Sequence, residues 1–339
     1  MRTLDEVESL LKKPAKEIFN GDSDRVMKDI LLVCHPDRWV AKPKDDADRA
    51  AALLKLANEK KASVDAKHSK PAEVVKSKKG EYVLHEIIAV GDVADVYQAS
   101  SGGKEFIAKV SRIPGGDKIM EREKAVLDKL FKASKMDAFS RYLPTLVESF
   151  PIKDAIAKRV NVFTPSVGLV GAEEIHAKRP VVEPKHLAWM FNRMLEILAF
   201  SHNQGVVHGA FVPCHLLINP ANHGLVVIGW GQSVDVGGVI KSAPAKYIGW
   251  YPPEVKAKKP VGPGTDLWLA CQTLIYLAGG DPATKRMPIT VPKGFSSFIH
   301  GCMLDGLLMR PSDLWSLQDD YRKMLLDVLG PKKFHEFTV

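Results

Sequence analysis

Phe106-Ile107-Ala108-Lys109, followed by Arg122-Glu123-Lys124-Ala125-Val126-Leu127, is the stretch that decides the fold. The first segment reads as a strand ending on a lysine, and the second lies in a helical pattern over Asp117–Phe131. Working outward, strand-like runs recur at Tyr82–Val90, Asp95–Ala99, Thr145–Phe150 and Arg159–Phe163. Beyond them the patterns are mainly helical. Leu187, Met190, Phe191, Met194, Leu195 and Leu198 form the wide apolar stripe of a buried helix leading to a Val206-Val207-His208 strand. An antiparallel sheet with one helix, followed by a larger helical part, is an α+β order.

That order, over roughly residues 81 to 330, resembles a protein kinase, and the resemblance implies a bilobal fold with an N-lobe over 81–165 and a C-lobe over 166–339. In that family the strand lysine pairs with a helix glutamate and holds the α- and β-phosphates of ATP; Lys109 and Glu123 match. Pro252-Pro253-Glu254 resembles the Ala-Pro-Glu signature, Asp266-Leu267-Trp268 the start of the next long helix, and Arg310 the late arginine that pairs with the glutamate. The resemblance implies scaffold roles for Glu254, Asp266 and Arg310.

The positions of the chemistry depart from the pattern. Phosphoryl transfer needs metal ions held against the phosphates and a group that orients the nucleophile. Where kinases carry His-Arg-Asp this chain has His208-Gly209-Ala210, and His215 stands at the metal-binding asparagine. Val226-Val227-Ile228-Gly229-Trp230-Gly231 covers the Asp-Phe-Gly position, with Gly229 in place of the aspartate. Of the phosphate-loop glycines only Gly91 remains, flanked by Ala89 and Ala94, whose methyl groups restrict close phosphate approach. The expectation is therefore a pseudokinase that is not an enzyme, with no metal and no required cofactor. Residual metal-free ATP binding at Lys109, Glu123 and Gly91, in an atypical kinase or a nucleotide-sensing switch, is the alternative.

Upstream, Val26, Ile30, Val33 and Cys34 recur at helical spacing, and Pro36 ends that helix. A second pattern opens at Asp45-Asp46 and places Ala50, Leu53, Leu54 and Ala57 on one stripe, so two helices of similar length form a hairpin around His35-Pro36-Asp37. Residues 1–68 resemble the J domain of DnaJ-type co-chaperones. The resemblance implies that His35, Pro36 and Asp37, with Arg25 and Lys28 on the preceding helix, engage a DnaK-type chaperone ATPase and stimulate it. Asp37 offers a carboxylate to a partner arginine, and Pro36 fixes the turn.

Residues 69–80 lose apolar periodicity and carry Lys70, Lys76, Lys78 and Lys79 around Pro71, which reads as a charged, mostly extended linker. The 339 residues are 45% hydrophobic and 26% charged, the make-up of a folded protein with room for two cores. A formal charge of +8 comes from 48 basic residues dispersed among 40 acidic ones, so nucleic acid is not indicated. Four cysteines lie far apart without a metal-binding pair, and no apolar run is long enough for a membrane span. The expectation is a cytoplasmic adaptor that recruits a DnaK-type chaperone, with the kinase-like part selecting an unidentified client or partner protein.

Overall fold

The computed structural model describes residues 3–19, 23–34, 43–65, 73–134, 138–152 and 157–339. It is a mixed α and β protein that divides into two compact units, 1–73 and 74–339. His35, Pro36 and Asp37 lie outside the described residues, as do 66–72 of the segment read as linker.

The first unit holds α1 (Leu4–Leu11), α2 (Ala15–Ile18), α3 (Ser23–Cys34) and α4 (Lys44–Asp65). Thr3 caps α1 by accepting from the Glu6 amide while Glu6 reaches back to the Thr3 amide, a reciprocal arrangement that satisfies two free backbone donors. Ile30, Val33 and Cys34 of α3 and Ala50, Leu53 and Ala57 of α4 are buried together with Leu4, Val7 and Leu11. Arg49 bridges α4 to α1 through Asp5, at 2.6 Å, and Glu8. The two hairpin helices are not of similar length: α4 has 22 residues against 12 in α3. No Pro or Gly occurs between Asp45 and Asp65, so nothing in the chain stops α4 where its apolar stripe ends.

The second unit begins with β1 (Glu73–Lys76), β2 (Glu81–Val90), β3 (Ala94–Ser101), β4 (Lys104–Ser111), α5 (Gly116–Ala133), β5 (Leu146–Ile152) and β6 (Lys158–Phe163). These strands form one sheet in the order β1-β2-β3-β4-β6-β5. Successive pairs from β2 to β5 are antiparallel. Part of the segment read as linker is thus the edge strand β1: Val75 is buried while Glu73, Val74 and Lys76 are exposed, and Lys76 pairs with Glu81 at 2.6 Å. Charge on both ends of a four-residue edge strand hides its pattern and also blunts the edge.

There follow β7 (Val170–Gly171), α6 (Ala172–Lys178), α7 (Pro184–Asn203), β8 (Val206–Val207), β9 (Leu216–Asn219), β10 (Gly224–Val227), β11 (Val234–Asp235), α8 (Pro253–Lys256), α9 (Pro263–Leu277), α10 (Lys293–Gly301) and α11 (Leu314–Leu329). The predicted stripe of α7 is wholly inside, with Leu187, Met190, Phe191, Met194, Leu195 and Leu198 all at zero exposure. Helix α9 is buried nearly all round, as expected of the central helix of a layered helical core. Among the described residues no helix is long and apolar enough to cross a membrane.

Candidate functional site

Lys109 and Glu123 come together because β4 and α5 are adjacent in sequence and in space. Lys109 Nζ donates to Glu123 Oε1 at 2.8 Å, with the glutamate almost fully buried and the lysine partly exposed. The second carboxylate oxygen is taken by Asn161, whose Nδ2 donates to Glu123 Oε2 at 2.9 Å and also to the Met120 carbonyl at 3.0 Å. Asn161 is fully buried on β6, in register with Lys109 of β4. Removing one member of such a buried ion pair costs on the order of 3–5 kcal/mol, since the other is left uncompensated. Sequence reasoning missed Asn161. Its signal is an amide between Val160 and Val162, where an unpartnered polar side chain would be costly.

The turn after β8 is anchored on α9. Asp266 accepts from the backbone amides of His208, at 2.7 Å, and Gly209, at 2.8 Å, and pairs with His202 Nε2 at 2.9 Å. Gly209 has φ +74, and a Cβ there would stand 3.0 Å from the Gln232 carbonyl, so glycine suits both the backbone and the space. His208 is buried and fully employed: its Nε2–H donates to the Ile228 carbonyl at 3.0 Å and its Nδ1 accepts from the Ala210 amide at 3.2 Å. Burial holds its pKa below the usual histidine range, so it is neutral.

Trp230 is buried 4.6 Å from the His208 ring and donates from Nε1 to the Val227 carbonyl at 2.8 Å. Its neighbour Gly231 lies under α5, where a Cβ would meet Ile119 at 2.8 Å. Arg122 ties the same helix to this segment through the Ser233 carbonyl at 3.2 Å and Asp235 at 2.9 Å. Helix α5, and with it Glu123, is therefore locked against residues 230–235.

His215 and Gly229, which the sequence presents as two separate losses, are in contact. Gly229 has φ +81, and a Cβ there would fall 2.5–2.6 Å from the His215 ring. The ring is held from the other side by the Ala210 carbonyl, 2.8 Å from Nδ1. Burial, with His208 and Lys109 nearby, pushes the His215 pKa down to about 3. Ala210 offers only a methyl group. Among the described residues no cluster of three or more His, Cys, Asp or Glu could hold a metal ion.

Gly91 is placed differently from an open phosphate cradle. Its amide donates to the Ala94 carbonyl at 3.0 Å, and an added Cβ would stand 2.9 Å from that oxygen, so the glycine closes a tight turn. Asp92 in the same turn accepts from the Ala245 amide at 2.7 Å. Nearby, Glu173 of α6 accepts from Tyr247 at 2.5 Å and from Lys246. Cys214 lies beside these groups, and burial pushes its thiol up to about 12, which keeps it protonated and unreactive.

Arg310 binds Glu254 through two bonds, 2.7 and 3.0 Å, and donates to the carbonyls of Leu304, Asp305 and Gly264. Thr265 Oγ1 adds a third bond to Glu254 at 2.9 Å. Arg25 and Lys28 are both exposed on α3.

No family model matches the chain. The chain is 30% identical over 174 residues to serine/threonine-protein kinase F of Synechocystis sp. (strain ATCC 27184 / PCC 6803 / Kazusa), a match that covers 49% of this chain and 34% of that protein. The chain thus spans about a third of the length of the relative it matches, and half of the chain is kinase-like in sequence. This finding overturns the expectation that the chain is not an enzyme. That expectation rested on the groups missing at Ala210, His215 and Gly229 together with the eroded phosphate loop, whereas the similarity points toward a kinase enzyme.

Proposed function

We propose that residues 74–339 are a bilobal, protein-kinase-like module that binds ATP and works as an atypical kinase, and that residues 1–68 are a J domain recruiting a DnaK-type chaperone ATPase. The observation that carries the nucleotide reading is the Lys109–Glu123 pair at 2.8 Å. A lysine ammonium has three donors, and among the described residues only Glu123 takes one from Lys109. With the carboxylate fixed by Asn161 and the ammonium partly exposed, two donors are left for phosphate oxygens.

The test is a thermal shift of the full chain with ATP, with and without magnesium, alongside transfer of labelled terminal phosphate. ATP raises the melting temperature of the wild type but not of Lys109→Ala. If ATP moves neither protein and no label is transferred, the reading is refuted.

The J-domain reading draws on α3 and α4, whose buried stripes face one another while His35, Pro36 and Asp37 lie in the connecting stretch. It predicts that the chain stimulates a DnaK-type ATPase and that His35→Gln does not. Equal stimulation by the two would sink it. A client or partner protein is then engaged by the kinase-like unit.

A further inference from the structure

Charge is mixed along most of the chain, but residues 236–262 hold five lysines, no arginine and a single acid, Glu254, which is buried and spent on Arg310. Lys246 is paired with Glu173. Lys241, Lys256, Lys258 and Lys259 are exposed, and among the described residues none of them has a carboxylate within ion-pair distance.

The fold gathers these four on one surface. Gly237 donates to the Val261 carbonyl and Val261 to the Gly238 carbonyl, both at 2.8 Å, so the loop carrying Lys258 and Lys259 runs beside the segment carrying Lys241. Lys256 Nζ stands 3.5 Å from the Gly249 carbonyl of that segment. Lys258 has φ +53, in a turn closed by its own amide on the Val255 carbonyl and by the Lys259 amide on the Glu254 carbonyl.

This surface borders the mouth of the candidate site. Ala245 of the same segment donates to Asp92 in the Gly91 turn, Tyr247 to Glu173 on α6, and Tyr251 to the Gly209 carbonyl at 3.0 Å. The acids along the rim are occupied, Asp235 by Arg122, Glu173 by Lys246 and Tyr247, and Asp92 by the Ala245 amide. Ile248, in the stretch between Lys241 and Lys256, is 58% exposed. Point-like ammonium groups around an apolar side chain, with no arginine fork among them, fit scattered carboxylates on a polypeptide better than a regular phosphate backbone.

Building on the kinase reading above, we propose that the protein this module phosphorylates presents an acidic segment, seated on Lys241, Lys256, Lys258 and Lys259 with its acceptor hydroxyl turned toward the cleft. The terminal phosphoryl group of ATP passes to that hydroxyl oxygen, its bond to ADP breaks, and the hydroxyl proton leaves to solvent.

The experiment uses the full chain and a fluorescein-labelled peptide with one serine among glutamates, beside a counterpart with glutamine at every glutamate. Fluorescence anisotropy reads binding, and labelled ATP reads transfer to each peptide. The variant carries Lys241→Glu, Lys256→Glu, Lys258→Glu and Lys259→Glu together, a second carries glutamine at the same four positions, and Lys104→Glu on the β3–β4 hairpin is the control; far-UV circular dichroism checks that each is folded. Wild type and the control are expected to bind the acidic peptide at least about tenfold more tightly than the glutamate variant does, with the glutamine variant between. The difference shrinks as salt rises, and the glutamine peptide binds weakly throughout. Equal affinity for the two peptides, or an affinity unchanged in both variants, overturns the inference. Duplex DNA or phosphatidylserine vesicles that bind as tightly as the acidic peptide, with the same loss in the variants, would overturn the assignment to a protein. An acidic peptide held through the lysines but never labelled would instead remove the kinase reading and leave the acidic-partner surface in place.

Discussion

Gly229→Ala tests whether His215 and Gly229 form one packed unit. The alanine must adopt φ near +81, a left-handed conformation that costs an L-residue roughly 1–2 kcal/mol. Its Cβ would also stand 2.5 Å from the His215 ring, too close for any real contact, so the ring has to move. Moving it breaks the 2.8 Å bond to the Ala210 carbonyl, worth about 1 kcal/mol net. The substitution should then cost about 2–3 kcal/mol in the wild type. In a His215→Ala background only the backbone cost remains, so the coupling between the two sites is about 1 kcal/mol or more. Urea unfolding followed by tryptophan fluorescence reads this unit well, because all tryptophans except Trp39 lie within it. An equal cost of Gly229→Ala in both backgrounds would refute the interlock.

Arg310→Met leaves Glu254 buried without its partner and should destabilise the second unit by on the order of 3–5 kcal/mol in the same assay. Burial alone would raise the Glu254 pKa, but Arg310, a backbone amide and Thr265 outweigh it and hold the group below the usual carboxylate range. Stability from this site is therefore complete above the unfolded value near 4.3 and is lost as pH falls through the lower folded value, so Glu254→Gln should show a flatter acid profile below about pH 5. Gly229→Asp with His215→Asn should gain a magnesium-dependent thermal shift with ATP, since removing the ring makes room for a carboxylate and aspartate tolerates positive φ. Gly229→Asp alone should instead be destabilised, as Gly229→Ala is.

The local elements were legible. Helix α3 spans Ser23–Cys34 as its apolar spacing indicates, and β2, β3, β4, β5 and β6 fall on the alternating runs. The Lys109–Glu123 pairing is what the kinase resemblance implies, and local spacing alone does not give it. Asn161 could not be located from the sequence, since its place opposite Lys109 is set by the pairing of β4 with β6, a long-range register that no local spacing encodes. Strand β1 escaped because its two valines sit between charges and only Val75 is inside. Gly91 was read as a remnant of a phosphate loop, yet its amide is spent on Ala94, a distinction that depends on the turn's closure rather than on the residue type.

His215 and Gly229 carry the same lesson further, and bear on what the cleft is for. Read along the chain, each is a metal ligand replaced, and together they suggest a site falling out of use. In space the ring of one occupies the volume vacated by the other and is hydrogen-bonded to Ala210, while the carboxylate partner of Lys109 is clamped by a buried amide. A buried ion pair is costly to desolvate, and an apolar pair of similar size is often as stable or more so. Packing alone therefore gives little reason to keep Lys109 and Glu123. An ammonium with two donors unused, beside a carboxylate already clamped, suits an anion better than it suits packing.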